Sequence, residues 1–347
     1  MKVQPNSKPK KKNYKFVWIF LAVIALIAGL FLPTKYYVET PGGAYQVSKY
    51  FKVEQPKTHA GGFYFTAVSI RPAVVFDYLT NSFHDFSELI AKKDIDGTNT
   101  SEEHQLVEKF YMQDSINSAI YYAAKQAKVP VKRTFQGIYV MEVFDNSSFK
   151  GKLHVGDTIT QVNGRSFASS NDVIKLFENV KLNQSVSILV TRNGKTELLR
   201  GKAVKLPETK RVGIGITLTE KTQVESTPHV VANIEDIGGP SAGLMFTLEL
   251  YQQLTRQNLT GERKIAGTGT IDETGHVGSI GGIDKKVVSA SRKGAKIFFA
   301  PSEKLPGMTN KTTNYAEAKA AAKKIKTKMK IVPVKSFTDA LNYLTQH

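Results

Sequence analysis

Two short runs hold the residues from which this chain could build a nucleophile and its base. The first is Gly238-Gly239-Pro240-Ser241-Ala242-Gly243, and the second is Gly281-Gly282-Ile283-Asp284-Lys285-Lys286. The small-residue turn leads into a stretch in which Leu244, Leu248, Tyr251 and Leu254 recur at helical spacing, which predicts Ser241 at a helix N-terminus. Backbone N–H groups are unpaired there, and with the positive end of the helix dipole they suit a developing oxyanion. A lysine that acts as base must lose its proton near neutrality although its unperturbed pKa is about 10.4, so the site has to lower it to roughly 7 to 8 by burial or nearby positive charge. Lys286 follows a Gly-Gly turn in the first turns of a predicted helix, Ile283–Arg292, beside apolar Ile283 and Val287. Lys285 reads either as a second positive influence or as the solvated side of that helix. Taken alone, the serine run is also an ordinary tight turn before a helix with a serine cap.

Both runs resemble the catalytic signature of Lon-type (S16) serine proteases. In that family the serine of Pro-Ser-Ala-Gly attacks the peptide carbonyl and the lysine three residues beyond Gly-Gly-x takes its proton, which the resemblance carries onto Ser241 and Lys286. Thr268-Gly269-Thr270-Ile271-Asp272 and Gly275-His276-Val277 resemble the hairpin that precedes that lysine. The resemblance implies a supporting hydrogen-bonding role for Thr268, whose alternative is a plain β-branched strand residue, and Ala242 beside the serine is a second supporting candidate. The chain departs from the family at Thr270, where glutamate is usual, so no role of that carboxylate transfers. His276 reads as an exposed turn residue.

Other segments must position this pair. Gly137-Ile138-Tyr139-Val140, followed by Gly151-Lys152-Leu153-His154-Val155-Gly156-Asp157 through Asn163-Gly164, resembles a PDZ domain. Such a domain adds a peptide as a strand and captures its terminal carboxylate on loop N–H groups. The resemblance assigns that loop to Gly137 and Ile138, and the start of the strand to Tyr139 and Val140. Val173, Ile174 and Phe177, on a predicted short helix, read either as groove or as core. Asn193-Gly194 predicts a hairpin. Met112 to Ile120 begins a helix that resembles one near the start of Lon protease domains, which makes the PDZ module an insertion rather than one of three beads in series. The expected fold is α+β: a Lon-type protease domain in two parts, 35–128 and 206–347, with the PDZ module at 129–205 between them.

Phe16 to Leu32 is an uncharged apolar run at the lower limit of a membrane span, with Trp18, Tyr36 and Tyr37 as interface residues. The tail 1–15 carries Lys2, Lys8, Lys10, Lys11, Lys12 and Lys15 and no acid, so a transmembrane anchor at 16–34 would keep the N-terminus cytoplasmic and the catalytic domain extracellular. A cleaved signal peptide is the alternative. The chain has no cysteine, which excludes disulfides and thiolate metal sites, and its net charge of +18 suits anionic lipid or cell wall, with nucleic acid as the default alternative. The lysines of the C-terminal third lie beside an alanine-rich helix without interleaved aromatics and read as a solvated face, so no nucleic-acid partner is expected.

Gly194-Lys195-Thr196 lacks the upstream glycine of a phosphate loop, which is Leu189 here, and no His-Glu-x-x-His occurs. No ATP, cofactor or metal is therefore expected, and the substrates are already unfolded peptides or tails. The whole is similar to membrane-anchored proteases of Gram-positive bacteria, whose streptococcal members trim secreted peptide pheromones. Two rivals remain: a tethered PDZ binding protein with an inactive protease fold, and a signal-peptidase-like Ser/Lys hydrolase.

Overall fold

The computed structural model describes residues 14–54, 60–207, 209–234, 237–304 and 313–347. Lys2, Lys8, Lys10, Lys11 and Lys12 of the expected cytoplasmic tail lie outside these residues. Three early strands, β1 (Pro33–Gln46), β2 (Gly62–Val74) and β3 (Glu88–Ala91), pair antiparallel. The chain then leaves this sheet. Five strands, β4 (Val131–Val143), β5 (Thr158–Val162), β6 (Ser185–Arg192), β7 (Lys195–Lys202) and β8 (Ile216–Ser226), form a separate antiparallel sheet in the order β8-β4-β5-β6-β7. It returns with β9 (Lys264–Gly267), β10 (Ile297–Pro301) and β11 (Lys330–Val334), which extend the first sheet to β11-β10-β9-β2-β1-β3. The β2–β9, β9–β10 and β10–β11 pairs are parallel.

The first sheet is covered on both faces, which explains why Phe63-Tyr64-Phe65 needs no polar alternation. Phe63 and Phe65 belong to one core with helices α2 (Ser101–Gln126), α4 (Gly243–Thr255) and α7 (Phe337–Gln346). Tyr64, Ala266 and Phe298 face the opposite way, against α5 (Ile283–Arg292) and α6 (Asn314–Lys324). Strands β2, β9, β10 and β11 alternate between the two cores. Helices α5 and α6 make the crossovers that parallel pairing of β9, β10 and β11 demands.

The second sheet has its own core, in which Ile138, Val140, Leu153, Ile188 and Val190 pack with Val173 of α3 (Ser170–Phe177). Its other face is seated on α2, where Tyr139 stacks on Phe110 with ring centroids 4.0 Å apart beside Val107 and Met141. Helix α2 starts from a capping box in which Thr100 and Glu103 satisfy each other's backbone N–H. Because β8 pairs with β4 along its whole length, this sheet continues past residue 205, where the module was expected to end.

The N-terminal segment departs from expectation. Helix α1 (Lys15–Leu30) has 16 residues and no buried side chain, and it stops where Pro33 enters β1 opposite Val74. Val75 donates its N–H to the carbonyl of Leu32. Phe31 and Leu32 close the helix through N–H bonds to the carbonyls of Ala28 and Gly29, and the strand begins at Pro33. At 1.5 Å per residue α1 is ~24 Å long, short of a hydrocarbon core of ~30 Å. Among the described residues no helix is long and apolar enough to cross a membrane.

Phe246 of α4 is fully buried edge-on against Phe51 and Phe65, with centroid distances of 5.1 and 5.2 Å. We predict that Phe246→Ala lowers stability by about 3–5 kcal/mol. Urea unfolding monitored by circular dichroism checks this, and an unchanged midpoint would show that the site relaxes around the lost ring.

Candidate active site

Two helix N-termini converge at the carboxyl end of β9. Helix α4 begins at Gly243 with Ala242 as its N-cap, and no side chain caps it, so Ser241 is not the serine cap of the alternative reading. The turn is held from several sides. Gly269 N–H and Thr268 Oγ1 donate to the carbonyl of Ser241 at 2.7 and 3.0 Å, Ser115 Oγ donates to that of Pro240 at 3.1 Å, and Gly239 N–H donates to the carbonyl of Glu108 at 3.0 Å. The carbonyl of Gly269 takes the N–H of Leu244. Between Gly239 and Leu244 that leaves the amides of Ser241 and Ala242 as the N–H groups not engaged by a described residue.

The lysine arrives on α5 through Gly282, whose φ is 62° and where a Cβ would lie 2.6 Å from Glu39 Oε1. Lys286 is buried, and its Nζ donates to Ser241 Oγ at 2.9 Å and to Thr268 Oγ1 at 3.4 Å. Burial lowers its pKa to about 8, and the charge of Glu39 works weakly the other way. The structure therefore brings Ser241, Ala242, Thr268 and Lys286 together, with Thr268 bridging the serine carbonyl and the lysine amine.

The neighbouring Lys285 has the opposite fate. It too is buried, so it is not a solvated face. Burial alone would depress its pKa, but a hydrogen bond to Glu88 Oε2 at 2.9 Å and the charges of Glu39, at 3.2 Å, and Asp284 outweigh that and raise it. Lys285 engages the Glu39 carboxylate, whose charge also pulls Lys286 toward its charged form.

Glu39 was missed by sequence reasoning because it lies far away on β1, and no local pattern marks it. Glu108 was missed for the same reason; burial raises its carboxyl pKa beside Gly239. His276 is half-exposed, 2.8 Å from Glu303, and takes no part in the dyad.

The expected peptide loop needs correction. Gly137, Ile138, Tyr139 and Val140 lie inside β4, opposite Lys221, Glu220, Thr219 and Leu218 of β8 on one side. On the other side they meet β5 and the carbonyl of Asp157. With both edges hydrogen bonded, no peptide strand can add there. Only the Ile138 side chain reaches the groove, a cavity of about 680 Å³ between α3 and β8. Ile174 and Phe177 line it, as do Gly213, Ile214, Ile216 and Leu218, whereas Val173 is shared with the core. The edge strands of this sheet are β7 and β8, of which β8 borders the groove. A Gly-x-Gly signal, Gly213-Ile214-Gly215, stood in the sequence before this strand and could have located the loop.

Residues 110–202 match the family model for the PDZ domain, and residues 204–346 match that for the Lon protease (S16) C-terminal proteolytic domain. The chain is 33% identical over 123 residues to a Lon protease of Syntrophus aciditrophicus, covering 34% of this chain and 14% of that protein. It is 32% identical over 113 residues to a Lon protease of Trichlorobacter lovleyi, covering 33% and 12%. The PDZ domain of the SdrC-like protein of Listeria monocytogenes is 35% identical, with a TM-score of 0.24, over 25% of this chain and 90% of that one. The chain thus spans only about one seventh of the first Lon relative. It carries one region similar to a PDZ domain and a following region similar to the proteolytic domain of Lon proteases.

Burying Lys286 without a carboxylate partner has a cost that depends on pH. Between about pH 8 and 10.5 the unfolded chain binds more protons at this residue than the folded one, so stability at this group rises with pH across that window and the penalty is complete below it. We predict that Lys286→Met stabilises the protein at pH 7, by on the order of 3 kcal/mol at most, with the gain fading toward pH 10.5. Urea unfolding at several pH values checks this, and a variant less stable than the parent at pH 7 contradicts it.

Proposed function

We propose that this protein is an ATP-independent serine endopeptidase with a Ser241/Lys286 dyad, acting on peptides or unfolded tails. The observation that carries the reading is the 2.9 Å hydrogen bond from the buried, pKa-depressed Lys286 to Ser241 Oγ. Neutral Lys286 accepts the hydroxyl proton as Oγ attacks the scissile carbonyl. The oxyanion forms beside the N-terminus of α4, where the Ala242 amide and the helix dipole offset its charge. Lys286 then gives the proton to the departing amine, and water, deprotonated by the same amine, hydrolyses the acyl-enzyme. Thr268 holds the lysine amine and the serine carbonyl in register through this cycle.

The substrates we infer are already unfolded, because Gly194-Lys195-Thr196, the nearest approach to a phosphate loop, sits at the β6–β7 hairpin. We also propose that α1 associates with a lipid bilayer. Trp18 and the apolar side chains of α1 are exposed on all sides, and basic residues precede it, features that favour an N-terminus on the cytoplasmic side and a catalytic domain outside. A helix of ~24 Å requires local thinning of the bilayer or help from flanking residues. Secreted peptides, signalling pheromones among them, are the substrate class that this placement suits.

Culture-supernatant peptides incubated with the protein and analysed by mass spectrometry test the activity. Ser241→Ala, Lys286→Ala and the double variant should lose similar activity while remaining folded, since members of one catalytic unit are not additive. Substantial cleavage by either single variant overturns the dyad. The rate constant should rise with pH through about 8 and then level off. ATP, magnesium and chelators should leave it unchanged. For the topology, a cysteine placed at Asn99 or Gln346 should react with a membrane-impermeant reagent in intact cells, and reaction only after lysis would reverse the orientation.

A further inference from the structure

One strand, β8, borders both the groove and a cleft beside the catalytic turn. Along a single face of β8, Ile216 and Leu218 line the 680 Å³ groove opposite Ile174 and Phe177. The next residues on that face, Glu220 and Thr222, line a second cleft of about 500 Å³ with Asp114, Ile271, Asp272 and Glu273. Between the two, Ser170 at the start of α3 donates its N–H and its hydroxyl to Glu220 Oε1 at 2.7 and 2.9 Å, a contact that a chain passing along β8 displaces.

The far wall of the second cleft belongs to the catalytic turn. Ile271 follows Thr268 by three residues, and its Cγ2 would lie 2.8 Å from a Cβ on Gly243, the first residue of the serine helix. Asp114 directly precedes Ser115, which holds the carbonyl of Pro240. The second cleft is thus walled by residues next to the catalytic turn.

The chemistry of the groove fixes which way a peptide would run. At its closed end the chain turns through Gly215, with φ 77°, and Arg211 lines that end beside Gly213 and Ile214. A cation and loop amides there complement a terminal carboxylate, and Ile174, Phe177 and Leu218 complement an apolar last side chain. A peptide added antiparallel to β8 then has its C-terminus at Gly213–Gly215 and its upstream residues at Leu218, Glu220 and Thr222, in that order.

We propose that the occupant of the groove is the C-terminal segment of the peptidase's own substrate, and that this segment lies along β8 so that Ser241 cuts upstream of it. The PDZ module then delivers substrate and measures the cut from the free C-terminus. The inference rests on the peptidase reading above. From Ile216 to Thr222 the strand covers ~20 Å, so the released C-terminal fragment carries more than about six residues. The acidic residues of the second cleft, set against Arg133, face this intervening segment and suit one rich in lysine.

The test uses the full chain and peptides that share one internal cleavable sequence identified by mass spectrometry. Lysine- and alanine-rich spacers of roughly 2, 6, 10 and 14 residues follow it, ending in valine as free acid or amide. At the longer spacers the acid should exceed the amide in kcat/KM by about tenfold or more, and at the shortest the two should coincide. Ile174→Asp, in the groove and exposed, should bring acid and amide together at every length. The Ser241→Ala protein should bind the fluorescently labelled acid more tightly than the amide by anisotropy. Equal cleavage of acid and amide at all lengths overturns the inference while leaving the peptidase reading intact, as does an acid advantage that survives Ile174→Asp. Absence of cleavage of every peptide by the unaltered protein overturns the peptidase reading and this inference with it.

Discussion

The desolvated amine of Lys286 is the constraint on which the catalytic half depends. A buried lysine with a carboxylate partner stays charged and cannot accept a proton; one without a partner is costly to bury. The structure resolves this with two adjacent lysines in different surroundings. Lys285 gathers Glu39, Glu88 and Asp284, so the nearest carboxylates are already engaged, while Lys286 meets only the neutral oxygens of Ser241 and Thr268. A substitution at Lys285 would therefore act on the dyad through Glu39, without touching the serine.

The sheet explains why such distant residues meet. The serine helix α4 and the lysine helix α5 pack on opposite faces, yet both start at the carboxyl end of β9, and Thr268 follows that strand by one residue. Parallel strands joined by helices place helix N-termini together at that edge, which makes it a natural site for developing negative charge. Strand β1, two places away, brings Glu39 to the same region through its pairing with β2.

What could be read from the sequence was local. The helix Ile283–Arg292 has the predicted limits, and the Asn193-Gly194 turn joins β6 to β7, because caps and turn residues encode such features within a few positions. The two runs around Ser241 and Lys286 were visible for the same reason. Pairing between remote strands was not. Glu39 meets Lys285 only after β1 has joined β2, and Gly137–Val140 looked like a free edge because nothing near it announces that β8 will cover it. The end of α1 was not legible from hydropathy, which counts Phe31 and Leu32 with the helix, because Pro33 starts a strand.

The arrangement of β8 bears on how a binding module can influence a catalytic one. If the PDZ-like sheet hung on a linker, a bound chain would reach the serine only through an effective concentration set by linker length. Here the sheet is seated on α2 by the Phe110–Tyr139 stack, and Asn117 of the same helix donates to the carbonyl of Thr222 on β8 at 2.7 Å. Two turns of α2 thus touch the groove strand and, through Ser115, the carbonyl beside the serine. Occupancy of the groove and geometry of the catalytic turn share one helix. That shared support sets the distance between them by packing rather than by chain entropy.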